Sequence, residues 1–192
     1  MLWTTGGPYR KQPFGKEADL EEAIKDVSGD LFDPNRIYLD VKKKIGTKSK
    51  SNIPDGYLID LSSAKEPILR VVENELASHD PLRHVAVQII EFSLAFENAP
   101  YKVKSVVKNA LLADAGAMKK CESYAKANNF ENVDVLLDRM VHEGEFAALV
   151  VIDDLLDTLD SVLSKTFKFG VEVLTLTKFV SPSGDHIYAF VP

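Results

Sequence analysis

The sequence has one cysteine and one tryptophan among 192 residues. Cys121 alone cannot close an internal disulfide, which excludes a disulfide-stapled secreted miniprotein and fits a reducing compartment. No apolar stretch approaches the ~18 residues that a membrane helix needs. Met1 is followed by Trp3, Gly6, Gly7 and Pro8, without the apolar h-region of a secretory signal. The expectation is a cytoplasmic protein with no membrane partner. Neither a Gly-x-Gly-x-x-Gly turn after a strand nor a Walker loop is present. A Gly-x-Ser-x-Gly elbow is also missing. The four histidines (His79, His84, His142, His186) and Cys121 lack the spacing of a zinc site. Set in the helical part of the chain, Cys121 reads as a packing residue rather than a nucleophile. Bases are nearly absent from residues 131–160, where Arg139 faces nine acids. That window accounts for more than the whole formal charge of −6, so the remainder is slightly basic and net charge does not veto a nucleic-acid partner. The window is expected to face away from any such substrate.

What is present is an ordinary globular balance, 45% hydrophobic and 27% charged. A chain of this length suits a single domain that buries roughly 70% of its unfolded surface. Residues 1–15, rich in Gly and Pro, read as an arm. Leu20, Ile24 and Val27 recur at helical spacing behind Glu17, Asp19, Glu21 and Glu22, acids that suit the positive end of a helix dipole. After Asp33-Pro34-Asn35 come three strand-like runs, from Arg36, Ile53 and Ile68. Asp80-Pro81 predicts a helix start, and Val85, Ile89, Phe92 and Phe96 share that helix's apolar face. Residues 100–143 read as helical, with a break near Gly116. Phe146–Ile152 is an apolar strand, residues 155–163 are an amphipathic helix, and Val171–Val180 and His186–Val191 form a terminal hairpin. The expected class is α/β, a mixed sheet flanked by helices in the order α-βββ-α-β, with a helical insertion at about 100–143.

Acids embedded in apolar strands stand out. Asp55 follows Ile53-Pro54, and Glu73 and Glu75 follow Leu69, Val71 and Val72. Strand side chains alternate, so Glu73 and Glu75 share a face about 6.6 Å apart. Pairing of the two strands would bring Asp55 toward Glu73. Clustered carboxylates repel and resist desolvation. A hard divalent cation offsets that, as would a lysine or a solvated sheet edge.

Pro54-Asp55-Gly56, with Glu73-Asn74-Glu75 beginning 18 positions after Asp55, resembles the signature of the PD-(D/E)XK nuclease superfamily. The order helix, three strands, helix over residues 17–97 is similar to its restriction-endonuclease-like core. The resemblance implies that Asp55 and Glu73, with the Asn74 backbone carbonyl, hold Mg²⁺ (or Mn²⁺). It also implies an acid from the first helix, Glu21 or Glu22. Glu75 stands where lysine is usual, as in some restriction endonucleases, and would contact the metal or orient the attacking water. Some members carry Gln followed four residues later by Tyr; here Gln88 precedes Phe92, and His84 lies one turn before Gln88 on the same helix face.

The implied activity is Mg²⁺-dependent hydrolysis of phosphodiester bonds, in DNA. The alternative is an inactive nuclease-like fold that binds nucleic acid or a partner protein. Lys42, Lys43, Lys44, Lys48 and Lys50 put five positive charges into nine residues and are expected to meet phosphates. The insertion adds Lys102, Lys104, Lys108, Lys119, Lys120 and Lys126, and could clamp a duplex or form a homodimer interface.

Overall fold

A computed structural model describes residues 1–46, 51–79, 81–154 and 157–191. Lys48, Lys50, Asp80 (expected to cap a helix), and Leu155 and Leu156 lie outside the described residues. The first residues are a hairpin rather than an arm: β1 (Leu2–Thr4) and β2 (Gly7–Lys11) pair antiparallel. α1 (Glu17–Leu31) buries Leu20, Ala23, Ile24 and Leu31. At the break that follows, the Asn35 N–H donates to the Asp33 carboxylate at 2.8 Å, a side-chain turn that ends the helix run. Then come β3 (Arg36–Leu39), the short pair β4 (Ile45–Gly46) and β5 (Ser51–Asn52), β6 (Gly56–Asp60) and β7 (Ile68–Glu75). A 3₁₀ turn (Ala77–His79) leads into α2 (Pro81–Asn98).

The insertion is α3 (Pro100–Ala113), α4 (Ala115–Ala127) and α5 (Val133–Asp138), continued by a π turn over Arg139–Glu143. The break falls at Asp114, not Gly116, because the Asp114 carboxylate accepts from the N–H groups of Gly116 and Ala117 and caps α4. The chain closes with β8 (Ala147–Ile152), α6 (Asp157–Thr166), β9 (Val171–Val180) and β10 (His186–Val191).

One mixed eight-stranded sheet runs β1-β2-β9-β8-β7-β6-β3, with β10 also on β9. β3, β6 and β7 form the expected antiparallel meander, whereas β8 lies parallel to both β7 and β9. β8 pairs with Val171–Thr175 and β2 with Phe179–Val180, so the hairpin extends the sheet in line with β8. Lys11 there bridges to Asp154, just past β8.

Strand alternation sorts the core. Leu58, Val72, Leu149, Val151, Leu174 and Leu176 pack against α1. On the other face Tyr57, Ile59, Leu69 and Val71 meet the insertion through Val103, Val107, Leu111 and Cys121, while Ala148, Val150 and Ile152 meet α2 and α6. The insertion therefore supplies core, and some of its charge is used at home. Lys104 bonds Asp134 at 2.8 Å and Asp138 at 2.7 Å, and Lys108 bonds Asp134 at 2.6 Å. At the rim where β7 begins, Arg70 bridges Asp60 (2.8 Å) and Glu172 (3.2 Å), and Arg36 contacts the same two acids. Among the described residues no helix is long and apolar enough to cross a membrane.

Candidate metal and active site

The site forms where β7 ends. β6 runs antiparallel to β7 with Gly56 opposite Val72, which sets Asp55 beside Glu73. The Asp55 N–H donates to the Val72 carbonyl at 3.2 Å, and the Asn74 N–H donates to Asp55 Oδ2 at 2.9 Å. Glycine is required between Asp55 and Tyr57. A Cβ at Gly56 would lie 2.8 Å from the Leu39 carbonyl oxygen and 2.9 Å from the Tyr38 ring. That close approach of β3 has a consequence: the chain leaving Leu39 passes Asp55 and delivers Lys42. Lys42 Nζ lies 2.5 Å from Glu21 Oε2 and 3.4 Å from Asp55 Oδ1. Glu21, on α1, therefore joins the site, while neighbouring Glu22 is exposed.

Glu73 and Glu75 are 6% and 3% exposed, on the face covered by α2. The Gln88 side chain lies beside Glu73. Glu75 Oε1 accepts from the Leu76 N–H at 3.0 Å and lies 3.4 Å from His79 Nδ1. His79 Nδ1 is in turn 3.1 Å from Glu17 Oε1, and His84 Nδ1 is 3.5 Å from Glu75 Oε2. Ligand atoms of Glu17, Glu75 and His79 all fall within 4.8 Å of one another. Asp55 is not in that tight group; it faces Lys42 and the Asn74 N–H. The carboxylates thus divide into an Asp55–Lys42–Glu21 side and a Glu75–His79–Glu17 side, with Glu73 next to both along the strand. Asn74 contributes its N–H to Asp55, and its buried side chain lies by the Tyr38 hydroxyl on the opposite face.

Of the lysine segment, Lys42 enters the cluster, while Lys43 and Lys44 are exposed beside it. Phe92, at the position where the resemblance has Tyr, is wholly buried in the core. The acidic window 131–160 is not uniformly remote. Asp153, 7% exposed, sits past the end of β8 and accepts from the Ala77 N–H at 2.8 Å, pinning the turn that carries His79. The parallel register, Glu75 opposite Ile152, brings it to this end of the sheet.

The electrostatics follow from crowding. Burial, then the charges of Asp55 and Glu75, pushes the Glu73 carboxyl up to about 9. Burial also raises Asp55, against the opposing pull of the Asn74 N–H and Lys42. Glu75 is raised by burial and by Glu17. Glu73 Oε2 is buried with no hydrogen-bond partner among the described residues. Two of these residues, Glu17 and His79, were not among the expected site residues. Their signal is spacing: Glu17 stands one helical turn before Glu21, and His79 four positions after Glu75.

No protein family matches the chain, and neither a characterised protein nor a solved structure does so.

Proposed function

We propose that the chain is a metal-dependent nuclease with a restriction-endonuclease-like core, hydrolysing phosphodiester bonds in DNA. The observation that carries this reading is Glu73, a buried carboxylate with an unpartnered oxygen, set beside Asp55 and Glu75 at the open end of the sheet. An all-oxygen set of this kind fits Mg²⁺, with Mn²⁺ as a substitute. Asp55 and Glu73 would hold the ion, joined by the Asn74 carbonyl. When bound, it would supply Lewis-acid charge to the phosphoryl oxygens.

The chain's own groups do the rest. Lys42, tethered through Glu21, presents an ammonium beside Asp55 where a non-bridging phosphate oxygen can accept from it. Glu75 accepts a hydrogen bond from the attacking water and so orients it, in place of the usual lysine. Gln88 lies beside the Glu73 carboxyl, and His84 lies against Glu75. Lys43 and Lys44, on the exposed run beyond Lys42, are positioned for backbone phosphates. The second reading is a binding module in which Lys42 simply neutralises the acids; its ion pairs with Glu21 and Asp55 favour it.

The deciding experiment incubates single- and double-stranded DNA and RNA with the protein in Mg²⁺, Mn²⁺ or EDTA, beside Asp55→Ala and Glu73→Gln. Cleavage of DNA that needs metal and is lost in both variants supports the nuclease. Binding without cleavage of any substrate overturns it in favour of the module.

A further inference from the structure

We propose that Glu17, Glu75 and His79, with His84 beside them, form a second metal site, selective for a borderline transition ion such as Co²⁺ or Zn²⁺ over Mg²⁺. Three separate elements converge to make it, the first residue of α1, the last of β7 and the last of the 3₁₀ turn, with the first turn of α2 alongside. Both imidazoles present Nδ1 to the same carboxylate, His79 to Oε1 and His84 to Oε2 of Glu75.

The distances suit an ion. A tetrahedral centre with ligands at about 2.1 Å separates its ligand atoms by about 3.4 Å. His79 Nδ1 lies 3.1 Å from Glu17 Oε1 and 3.4 Å from Glu75 Oε1, and ligand atoms of the three residues all fall within 4.8 Å of one another. An ordinary His–carboxylate pair needs one imidazole on a surface acid. Here the acid is 3% exposed and flanked on both oxygens. On the same strand face Glu73 keeps a buried oxygen that no described protein group satisfies. Polar demand at this end of β7 exceeds what the protein itself supplies.

The donor chemistry selects the ion. Imidazole nitrogen suits zinc and cobalt, whereas Mg²⁺ prefers oxygen and retains its waters. Glu75 would then stand between this centre and the Asp55–Glu73 pair. The inference does not rest on the nuclease reading, because its geometry and its test concern binding alone.

The test titrates the full-length, EDTA-stripped protein with Co²⁺ and follows the visible d–d bands, then displaces the ion with Zn²⁺ or excess Mg²⁺. One tightly bound Co²⁺ is expected to give an intense tetrahedral-type spectrum that Zn²⁺ removes and Mg²⁺ does not. His79→Ala and Glu17→Gln should each weaken that Co²⁺ affinity by about 100-fold, while Asp55→Asn leaves it within a few-fold. Both His79 and Glu17 are about half exposed, so these variants are expected to fold, and circular dichroism verifies this. Absence of the bands, or wild-type affinity in both variants, overturns the proposal. DNA cleavage in Mg²⁺ with no Co²⁺ spectrum would refute this site alone and leave the nuclease standing.

Discussion

Glu73→Gln is expected to stabilise the metal-free protein. The ordinary glutamate carboxyl titrates near 4.5, and in the fold Glu73 is pushed up to about 9, first by burial and then by Asp55 and Glu75. An unfolded chain gives up this proton above about pH 4.5, while the folded chain keeps it. The associated stability is therefore fully present below 4.5 and drains away as pH rises toward 9. At pH 7 the gap from the ordinary value is about 2.5 pH units, and at ~1.4 kcal/mol each the penalty is about 3 kcal/mol. At pH 5 it is under about 1 kcal/mol by the same reasoning. Glutamine keeps the shape of the protonated acid and does not titrate, so it avoids the penalty. For a chain of this size, about 3 kcal/mol corresponds to a rise in Tm of roughly 6–12 °C. The assay is thermal unfolding in EDTA at pH 5 and pH 7, wild type beside variant. The reasoning is refuted if the variant's advantage fails to grow between those two pH values. With saturating Mg²⁺ the advantage should shrink, because only the wild type gains ligand stabilisation.

Four further outcomes follow from the geometry. Lys42→Ala should lower DNA cleavage by about 10²–10³ through loss of the ammonium beside the phosphate; steady-state rates at matched salt decide it, and a near-wild-type rate argues that Lys42 only neutralises Glu21 and Asp55. Gly56→Ala places a methyl 2.8 Å from the Leu39 carbonyl oxygen, and overpacking of this sort costs about 1–3 kcal/mol, read as a lower urea midpoint. Arg70→Ala leaves Asp60 and Glu172 to Arg36 alone at the opposite rim. Loss of its charged hydrogen bonds should destabilise by about 1.5–3 kcal/mol without changing metal affinity, measured by denaturation and calorimetry on one preparation. Cys121 is fully buried and its thiol is pushed up to about 11 by burial; a thiol reagent at pH 8 should label it no faster than the protein unfolds, and rapid labelling of the native state would contradict the packing described.

Much of the architecture was legible because periodicity reports burial directly. Leu20 and Ile24 marked the buried side of α1, and the apolar run ending at Ile152 is a strand with helices on both faces. The hairpin at residues 2–11 was not legible: its pairing partner, β9, lies near the other end of the chain. The break at Asp114 was misplaced because a capping carboxylate two residues earlier outcompetes the glycine. At the site, Asp55, Glu73 and Glu75 drew notice as acids within apolar strands. Lys42 read as one of five similar lysines, since only the closeness of β3 and β6 at Gly56 distinguishes it. Glu17 and His79 were hidden for the same reason. Each looks solvated in its own segment, and only the crossing of α1 over the end of β7 brings them together.

The strand that carries Glu73 touches every apolar cluster, directly or through its neighbour. Val72 and Leu76 belong to the α1 side, Leu69 and Val71 to the insertion side, and adjacent β8 to the α2–α6 side. Asp55 and Glu73 are thus fixed by the most interlocked part of the molecule, whereas Glu17 and Glu21 depend on α1 remaining seated. Partial unfolding would accordingly dismantle the centre in sequence. Lifting α1 releases Glu17, Glu21 and the anchor of Lys42 first, and the Asp55–Glu73 pair survives until the sheet itself opens.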